Sequence, residues 1–108
     1  MNIEDIREYA LQKENVTEGF PFGETALVFK ANGKMFLLVS MDSQPVQFNA
    51  KCDPVRATEL REEHDCIKPG YHMNKQHWNT VIVDGTLKSE QIFELIDHSY
   101  ELITKRKK

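Results

Sequence analysis

Three consecutive apolar-rich stretches near the middle of the chain predict β-strands, and the third alternates hydrophobic and polar residues at the two-residue spacing of a strand. The stretches are TALVFKA (25–31), KMFLLVSM (34–41) and VQFNAK (46–51). Asn32 and Gly33 separate the first two, and both tolerate the positive φ angles of a type I′ turn, which predicts a hairpin. In the third stretch, Val46, Phe48 and Ala50 are expected to point into the core. The pattern therefore predicts an antiparallel meander.

Apolar residues occupy both faces of the second predicted strand. Strict alternation places Met35, Leu37, Val39 and Met41 on one face, and Phe36 and Leu38 on the other. A strand that is apolar on both faces is typical of the centre of a sheet or of a sheet covered on both sides. A later β-branched run, WNTVIV (78–83), predicts a further strand.

Three stretches repeat apolar residues at helical spacing and begin with helix start signals. The first covers residues 2–14, with Asn2 as the N-cap and Asp5 in the first turn. The second starts at Asp53-Pro54, an N-cap acid followed by proline, and is expected to reach about His64. Ser89 is expected to cap the third. The predicted apolar faces are Ile3, Ile6 and Ala10, then Val55, Ala57 and Leu60, then Ile92, Phe93, Ile96, Tyr100 and Ile103.

The predicted elements follow in the order α-β-β-β-α-β-α, which is typical of an α+β fold with helices packed on one face of an antiparallel meander sheet. Between the first helix and the sheet, GFPFGE (19–24) contains a proline and two glycines that oppose regular structure. Phe20 and Phe22 in this segment are expected to pack underneath. A length of 108 residues predicts a single domain spanning residues 1–108.

Composition indicates the cellular setting. Hydrophobic residues make up 40% of the chain and charged residues 29%, as in an ordinary globular protein. No apolar run approaches the roughly 20 residues of a membrane span, and MNIEDIREYA (1–10) lacks the apolar region of a signal peptide. Cys52 and Cys66 form no CxxC pair and fit a reducing compartment. We therefore expect a cytoplasmic protein with no membrane partner.

Charge restricts how the chain could bind nucleic acid. Lys and Arg total 14 against 17 Asp and Glu, a formal net charge of −3. Nucleic-acid binders are usually basic, because phosphate neutralisation supplies most of their affinity, so a binding face on this chain must be local. Convergence of Lys34, Lys51, Lys75 and the tail 105–108 near Trp78 would favour binding. Glu59, Glu62 and Glu63 beside the same loop would oppose it.

Metal and catalytic chemistry find little support in the sequence. The candidate zinc ligands are Cys52, His64, Cys66, His72 and His77, and none are paired at the short spacing of a metal motif. No GxSxG elbow or phosphate-binding glycine loop is present. Cys52 precedes a predicted helix N-terminus, where a thiolate would be stabilised, but we expect a small buried filler there. The chain is therefore expected to be non-enzymatic, without a metal or cofactor.

The segment PGYHMNKQHWNT (69–80) carries the richest set of candidate binding residues. Tyr71, His72 and Trp78 offer rings on which a base can stack, and Lys75 can reach a phosphate. Side-chain amides at Asn74, Gln76 and Asn79 offer hydrogen bonds, and His77 adds charge when protonated. In the alternative interpretation, Tyr71 and Trp78 seal the end of the sheet and the amides satisfy loop backbone.

The extended segment PGYHMNKQHWNTV (69–81), with PFGE (21–24), VFKANGKMF (28–36) and NAKCDP (49–54), resembles the signature of the MmcQ/YjbR-like family. The resemblance covers nearly the whole chain in the same order. It implies a CyaY-like (frataxin-like) fold with a "double wing" arrangement, and a predicted DNA-binding function. The matching positions are Pro69, Gly70, Tyr71, His72, Met73, Asn74, Lys75, His77, Trp78, Asn79 and Thr80, with Lys51 and Pro54 upstream.

Two functional hypotheses follow from these observations. The first is weak, largely sequence-independent DNA binding by Lys51, Tyr71, His72, Asn74, Lys75, His77, Trp78 and Asn79. The lysines would contact phosphate, the rings would stack, and Asn74 and Asn79 would position the ligand. The second is a module for a small ligand or a protein partner, with the 69–80 loop lining a pocket against the sheet.

Overall fold

Six strands and three helices make up the fold in the computed structural model, which describes residues 1–71 and 73–104. The helices are α1 (Ile3–Leu11), α2 (Pro54–Glu63) and α3 (Ser89–Thr104). The strands are β1 (Val16–Gly19), β2 (Ala26–Ala31), β3 (Lys34–Ser40), β4 (Val46–Lys51), β5 (Ile67–Pro69) and β6 (Trp78–Val83). All neighbouring strands pair antiparallel in the order β1-β2-β3-β4-β6-β5. The predicted α+β fold with an antiparallel sheet is confirmed.

The first two helices begin where their capping residues predict. The Asn2 side chain accepts a hydrogen bond from Asp5 N at 2.9 Å, and the Asp5 carboxylate accepts one from Asn2 N at 3.0 Å. This reciprocal pair satisfies two backbone donors that the helix leaves open. Asp53 accepts from Arg56 N at 3.2 Å at the start of α2. The third prediction was wrong in detail, since Ser89 is the first helical residue of α3 rather than its cap.

A β-bulge in β3 changes which side chains reach the core. Asn32 and Gly33 take positive φ angles of 53° and 82°, as the hairpin requires. Phe29 pairs with Leu37 but Lys30 pairs with Met35, so Phe36 is an extra residue in β3. Phe36 and Leu37 are both buried in the core. The predicted strict alternation along this strand was therefore wrong, because the bulge returns Met35 to the same side as Leu38.

All three helices cover one face of the sheet. In the core between sheet and helices, Phe29 and Phe48 lie opposite Ile6 of α1 and Ile96 of α3. The helix α2 packs at the end of the sheet, against β5. Only its Ala57 is fully buried, and the expectation that Val55 faces the sheet was wrong because α2 turns this residue to solvent. Within residues 1–71 and 73–104, no helix has the length and apolar character to span a membrane.

The segment between β1 and β2 departs most from expectation. Phe20 and Phe22 were expected to pack underneath, but both rings are exposed. A turn closed by the hydrogen bond from Gly23 N to Phe20 O at 3.3 Å holds this segment outside the core. Gly23 has a φ of 115°, which favours glycine at this point. Phe22 is therefore available on the surface of the molecule.

Candidate functional site

The face of the sheet opposite the helices is called the open face here. Strand register places one row of side chains across it, because residues directly opposite in neighbouring strands share a face. The row runs Val28, Leu38, Asn49, Thr80, Lys68. It crosses five strands from β2 to β5, so the open face is built by the whole centre of the sheet.

A cavity of about 650 Å³ lies on the open face, called the open-face cavity below. Its floor comes from the central strands, and its walls come from two loops. Phe22 and Thr25 reach it from the segment before β2, and Tyr71 and Met73 reach it from the 69–80 loop. The full lining is Phe22, Thr25, Ala26, Met35, Leu38, Ser40, Asp42, Ser43, Gln47, Asn49, Tyr71 and Met73. The 69–80 loop is thus one wall of a concave site.

The apolar side chains that line this cavity are not members of the hydrophobic core. Phe22 is 68% exposed and Tyr71 is 69% exposed, although both are large rings. Met35 and Leu38 on the floor and Met73 in the loop are partly buried. Clustered exposed apolar side chains of this kind mark interaction sites more often than isolated ones do.

The polar part of the floor is ordered by a short hydrogen-bond chain. Thr80 Oγ1 donates to Asn49 Oδ1 across the β4–β6 pair and accepts from Tyr71 N at 2.9 Å. Asn49 is only 8% exposed. The Asn49 side chain bonds to the described residues only through this oxygen, and its Nδ2 group has no acceptor among them. Gln47 lies two residues away on the same face, so two amide side chains line the floor.

Lysines flank the cavity on the same face. Lys68 lies opposite Thr80, Lys51 lies opposite Trp78, and Lys30 lies opposite Met35. Asp42 is the acidic residue among those that line the cavity. Lys34 lies opposite Ala31, a core residue, and so belongs to the helix side of the sheet. The open face therefore carries three lysines around a cavity lined by one carboxylate, on a chain whose net charge is −3.

The remaining charged groups from the sequence hypothesis lie apart from this face or outside the described residues. Glu59 and Glu63 line a separate groove with His64, between α2 and α3 on the helix side. Glu62 is exposed on α2. The basic tail 105–108 lies outside the described residues.

The 69–80 loop is held in shape from within. Gly70 N donates to Trp78 O at 2.9 Å, and a Cβ atom on Gly70 would lie 2.8 Å from Trp78 Cβ. Asn74 Oδ1 accepts from Gln76 N at 2.9 Å and from His77 N at 3.3 Å, which forms a side-chain turn. His77 O accepts from Cys52 N at 2.7 Å. These bonds join the loop to the end of β4.

Arg61 holds the loop from the side of α2. Its guanidinium donates to Asn79 Oδ1 at 2.7 Å, to Trp78 O at 3.3 Å, and to the carbonyl of Lys75. The planar fork of five N–H donors suits three acceptors in one place. Arg61 was not among the predicted site residues, because a single arginine on an acid-rich helix gives no signal in a sequence. Its role depends on loop carbonyls that only the fold brings together.

Three predicted binding residues are taken up by the structure of the loop. Trp78 is 9% exposed, which leaves little of its ring for stacking against a base. Asn79 is 3% exposed and lies opposite Ala50 on the helix side, away from the open face. The Asn74 side chain completes the turn. The burial of Trp78 and the Asn74 turn agree with the alternative interpretation, in which rings seal the sheet and amides satisfy loop backbone. Asn79 bonds to Arg61 instead of loop backbone, and Tyr71 is exposed, so those two residues do not agree with it.

The other predicted binding residues are distributed around the site. Tyr71 lines the open-face cavity, and Lys51 lies on the open face with part of its side chain buried. Lys75 is exposed in the loop, and His77 is partly buried there. His72 lies outside the described residues. Of the ring residues proposed for stacking, the structure thus places Tyr71 at a cavity and adds Phe22, which sequence reasoning had assigned to packing.

The cysteines lie in the interior. Burial raises the pKa of the Cys52 thiol, and burial likewise raises the pKa of the Cys66 thiol. Both groups are therefore neutral thiols near pH 7 rather than reactive thiolates. Residues 1–71 and 73–104 contain no cluster of three or more His, Cys, Asp or Glu side chains placed to hold a metal ion.

These features define the class: a small α+β protein with one face of an antiparallel sheet covered by helices and a ligand-sized cavity on the other. Solved structures share this fold. The Deinococcus radiodurans protein DR2400 superposes with a TM-score of 0.93 at 39% identity, covering 97% of this chain and 80% of that one. A crystal structure of a Pseudomonas syringae protein gives a TM-score of 0.81 at 28% identity, covering 94% of this chain and 98% of that one.

Sequence comparison identifies the family. The YjbR family model matches residues 11–102, so the chain belongs to the YjbR family. YjbR of Escherichia coli K12 is 31% identical over 101 residues, which span 94% of this chain and 86% of the relative. YbdF of Escherichia coli O157:H7 is 37% identical over 101 residues, spanning 93% of this chain and 82% of the relative. Both relatives are described as uncharacterised proteins, so the match carries no activity with it.

Proposed function

We propose that this chain is a non-enzymatic binding module whose ligand occupies the open-face cavity. The observation that carries the proposal is the cavity itself, with two exposed rings on its walls and a buried amide on its floor. Its volume of about 650 Å³ falls within the roughly 300–1,000 Å³ typical of small-molecule sites. Apolar walls with a few fixed polar groups are the usual composition of such sites.

The geometry supports a preformed site. The Thr80–Asn49 pair fixes the amide on the floor, and the same Thr80 hydroxyl accepts from the backbone of Tyr71. Arg61 and Gly70 hold the loop that carries Tyr71 and Met73. The loop is therefore already ordered before a ligand binds, so the binding free energy is not reduced by the entropy cost of ordering it.

Removing the exposed rings tests this proposal. A screen of nucleotides and metabolites by thermal shift and by ¹H–¹⁵N NMR titration should give shifts at Leu38, Asn49 and Met73. The Phe22→Ala and Tyr71→Ala variants should each weaken binding about tenfold, because each loses ring contact with the ligand. Phe20→Ala is the matched control, since Phe20 lies in the same segment but does not line the cavity. Equal weakening by all three variants would contradict the proposal.

DNA binding by the same face is the second candidate. The observation that favours it is the alignment of Lys30, Lys51 and Lys68 on the open face, and the family resemblance is consistent with it. Few cations are available, so affinity should be on the order of 10⁻⁴–10⁻⁶ M and largely independent of sequence. The lysines would contact phosphate and would fix no base identity.

Fluorescence anisotropy with random duplex DNA at two salt concentrations tests this candidate. The Lys51→Ala/Lys68→Ala double variant should weaken binding and flatten its salt dependence, because DNA binding then releases fewer counterions, about one fewer for each lysine removed. Lys34→Ala is the matched control, since Lys34 lies on the helix side of the sheet. Absence of binding at low salt, or equal effects of both variants, would exclude the open face as a duplex-binding surface.

A further inference from the structure

We infer that the ligand of the open-face cavity is a planar heterocyclic base, carried either by a free nucleoside or nucleotide or by an unpaired single strand. This inference rests on the proposed binding function and specifies the ligand class. It differs from duplex DNA binding, in which the bases remain paired and only the backbone and groove edges are presented. The shared chemistry is the flat ring with its polar edge.

The walls of the cavity suit a flat ring. Phe22 and Tyr71 present exposed rings to the same cavity, and Met35 and Met73 present thioether side chains. Every nucleobase has a π-face that stacks on aromatic side chains without regard to sequence. Thioether sulfur also makes favourable contacts with aromatic rings. A branched aliphatic ligand would use the volume of the cavity but not the flat faces of its walls.

The floor of the cavity suits the polar edge of such a ring. Asn49 is more than nine-tenths buried. Among the described residues its side chain bonds only to Thr80, through Oδ1, so its Nδ2 group has no acceptor there. A ligand with a carbonyl oxygen or a ring nitrogen would supply that acceptor, as nucleobases do. Gln47 adds a second amide on the same strand and Ser40 lies opposite it. A hydrocarbon ring would leave the Asn49 amide without a partner, so the floor selects against it.

Charge around the cavity indicates where a phosphate would go. Asp42 lines the cavity and repels a phosphate placed inside it, whereas its carboxylate can accept from a sugar hydroxyl or an exocyclic amine. Lys30 lies on β2 and Lys68 lies on β5, on opposite sides of the central strands that form the floor of the cavity. A base inside the cavity would therefore extend its phosphate outward, towards a lysine. A neutral nucleoside is expected to bind, and phosphate should add only a salt-sensitive increment.

NMR titration of the full chain separates the ligand classes. The probes are adenosine, cytidine, a thymidine oligonucleotide, an abasic oligonucleotide of the same length, and benzyl alcohol. The nucleosides and the thymidine strand should shift the amide resonances of Leu38, Asn49 and Tyr71. The abasic strand should leave these resonances in place. Equal binding of the abasic and thymidine strands would overturn the inference.

Two variants test the roles assigned to the floor and the walls. Asn49→Asp replaces the free donor by an acceptor and should weaken nucleoside binding about tenfold or more. Since a buried carboxylate can destabilise the fold, Phe22→Ala provides a second variant at an exposed position. It should also weaken nucleoside binding about tenfold, whereas Phe20→Ala should have no effect.

The outcomes distinguish the inference from the proposed function on which it rests. If benzyl alcohol shifts the cavity resonances and neither nucleosides nor the thymidine strand do, the cavity binds ligands but the base assignment is wrong. If no probe shifts them, the base assignment is wrong, and the thermal-shift screen of metabolites then decides whether the cavity binds another ligand. Binding of the thymidine strand at least about tenfold tighter than the nucleosides identifies a single strand as the source. Equal affinities identify a free nucleoside or nucleotide.

Discussion

At the scale of single residues, Ser99 joins the last helix to two strands. Its hydroxyl donates to Phe36 O at 2.5 Å and accepts from Lys51 N at 2.9 Å, and the residue is fully buried. The Phe36 carbonyl belongs to the bulge in β3, where the regular ladder is interrupted. One hydroxyl therefore satisfies a donor and an acceptor that the sheet leaves open.

Ser99→Ala should lower the free energy of unfolding by about 1–3 kcal/mol, because a buried carbonyl and a buried N–H would lose their partner. Urea denaturation followed by circular dichroism measures this change. Ser89→Ala is the control, since Ser89 is exposed at the start of the same helix and should change stability by less than about 0.5 kcal/mol. A Ser99 variant as stable as the control would show that the two bonds contribute nothing.

Residues that act on their own chain neighbours could be predicted, and residues that act across the fold could not. Asn2 and Asp53 cap helices that begin one residue later, so their roles are visible in a short window of sequence. Ser99 donates to the Phe36 carbonyl, 63 residues away in the chain. Arg61 donates to the Asn79 side chain, 18 residues away. Nothing in the sequence marks which distant carbonyl or amide they meet. The roles of both residues are therefore visible only in the folded chain.

At the scale of elements, Gly70 determines how closely the 69–80 loop approaches β6. An added Cβ would lie 2.8 Å from Trp78 Cβ and 2.9 Å from Trp78 O, distances that real Cβ atoms do not show. Gly70→Ala should therefore displace the loop and cost about 1–3 kcal/mol of stability. It should also weaken ligand binding, since Tyr71 follows directly in the chain. Thermal unfolding and the NMR titration measure the two effects.

Gly19→Ala provides the control for this substitution. Gly19 lies in the edge strand β1, and a Cβ there would meet no atom within 4 Å. It should change the unfolding free energy by less than about 0.5 kcal/mol and leave ligand binding unchanged. If both glycine variants behave alike, the close approach at Gly70 does not position the loop.

Element prediction succeeded where the pattern was long and failed where it was short or interrupted. The strands β2, β3, β4 and β6 contain six or seven residues each and were all predicted. The edge strands β1 and β5 contain four and three residues, too few to show alternation. In β3, a continuous apolar run hides the bulge, because Phe36 and Leu37 are equally suited to the core. The CyaY likeness implied by the family resemblance stays a prediction.

At the scale of the whole molecule, the open-face cavity depends on features that are far apart in the sequence. Phe22, Asn49 and Tyr71 come from three separate segments, and the strand order together with two loops brings them to one face. The sequence signature drew attention to the 69–80 loop, which contributes Tyr71 and Met73 to the lining of the cavity. It did not show that Trp78 would be buried while Phe22 would be exposed, because the sequence presents both only as large aromatic residues. Burial is decided by the strand order, which a single sequence does not reveal.

Stability against acid is also a property of the whole molecule, and His98 is expected to affect it. The His98 Nε2 atom accepts a hydrogen bond from Asp53 N at 3.2 Å, which requires a neutral ring. Burial, with a smaller contribution from Arg56, lowers the pKa of His98 from its ordinary value of 6.5, while Asp53 and Glu101 oppose that shift. The unfolded chain therefore binds a proton at a higher pH than the folded chain does.

This difference gives the sign of the pH effect. As the pH falls through 6.5, the unfolded state gains a proton first, so the free energy of unfolding should decrease. The decrease should level off below the lowered pKa of the folded state. His98→Gln keeps an oxygen that can accept from Asp53 N but does not titrate, so the contribution of His98 to this decrease should disappear. Urea unfolding of both proteins at intervals between about pH 5 and pH 8 measures the difference, and parallel curves across that range would show that His98 is not the responsible group.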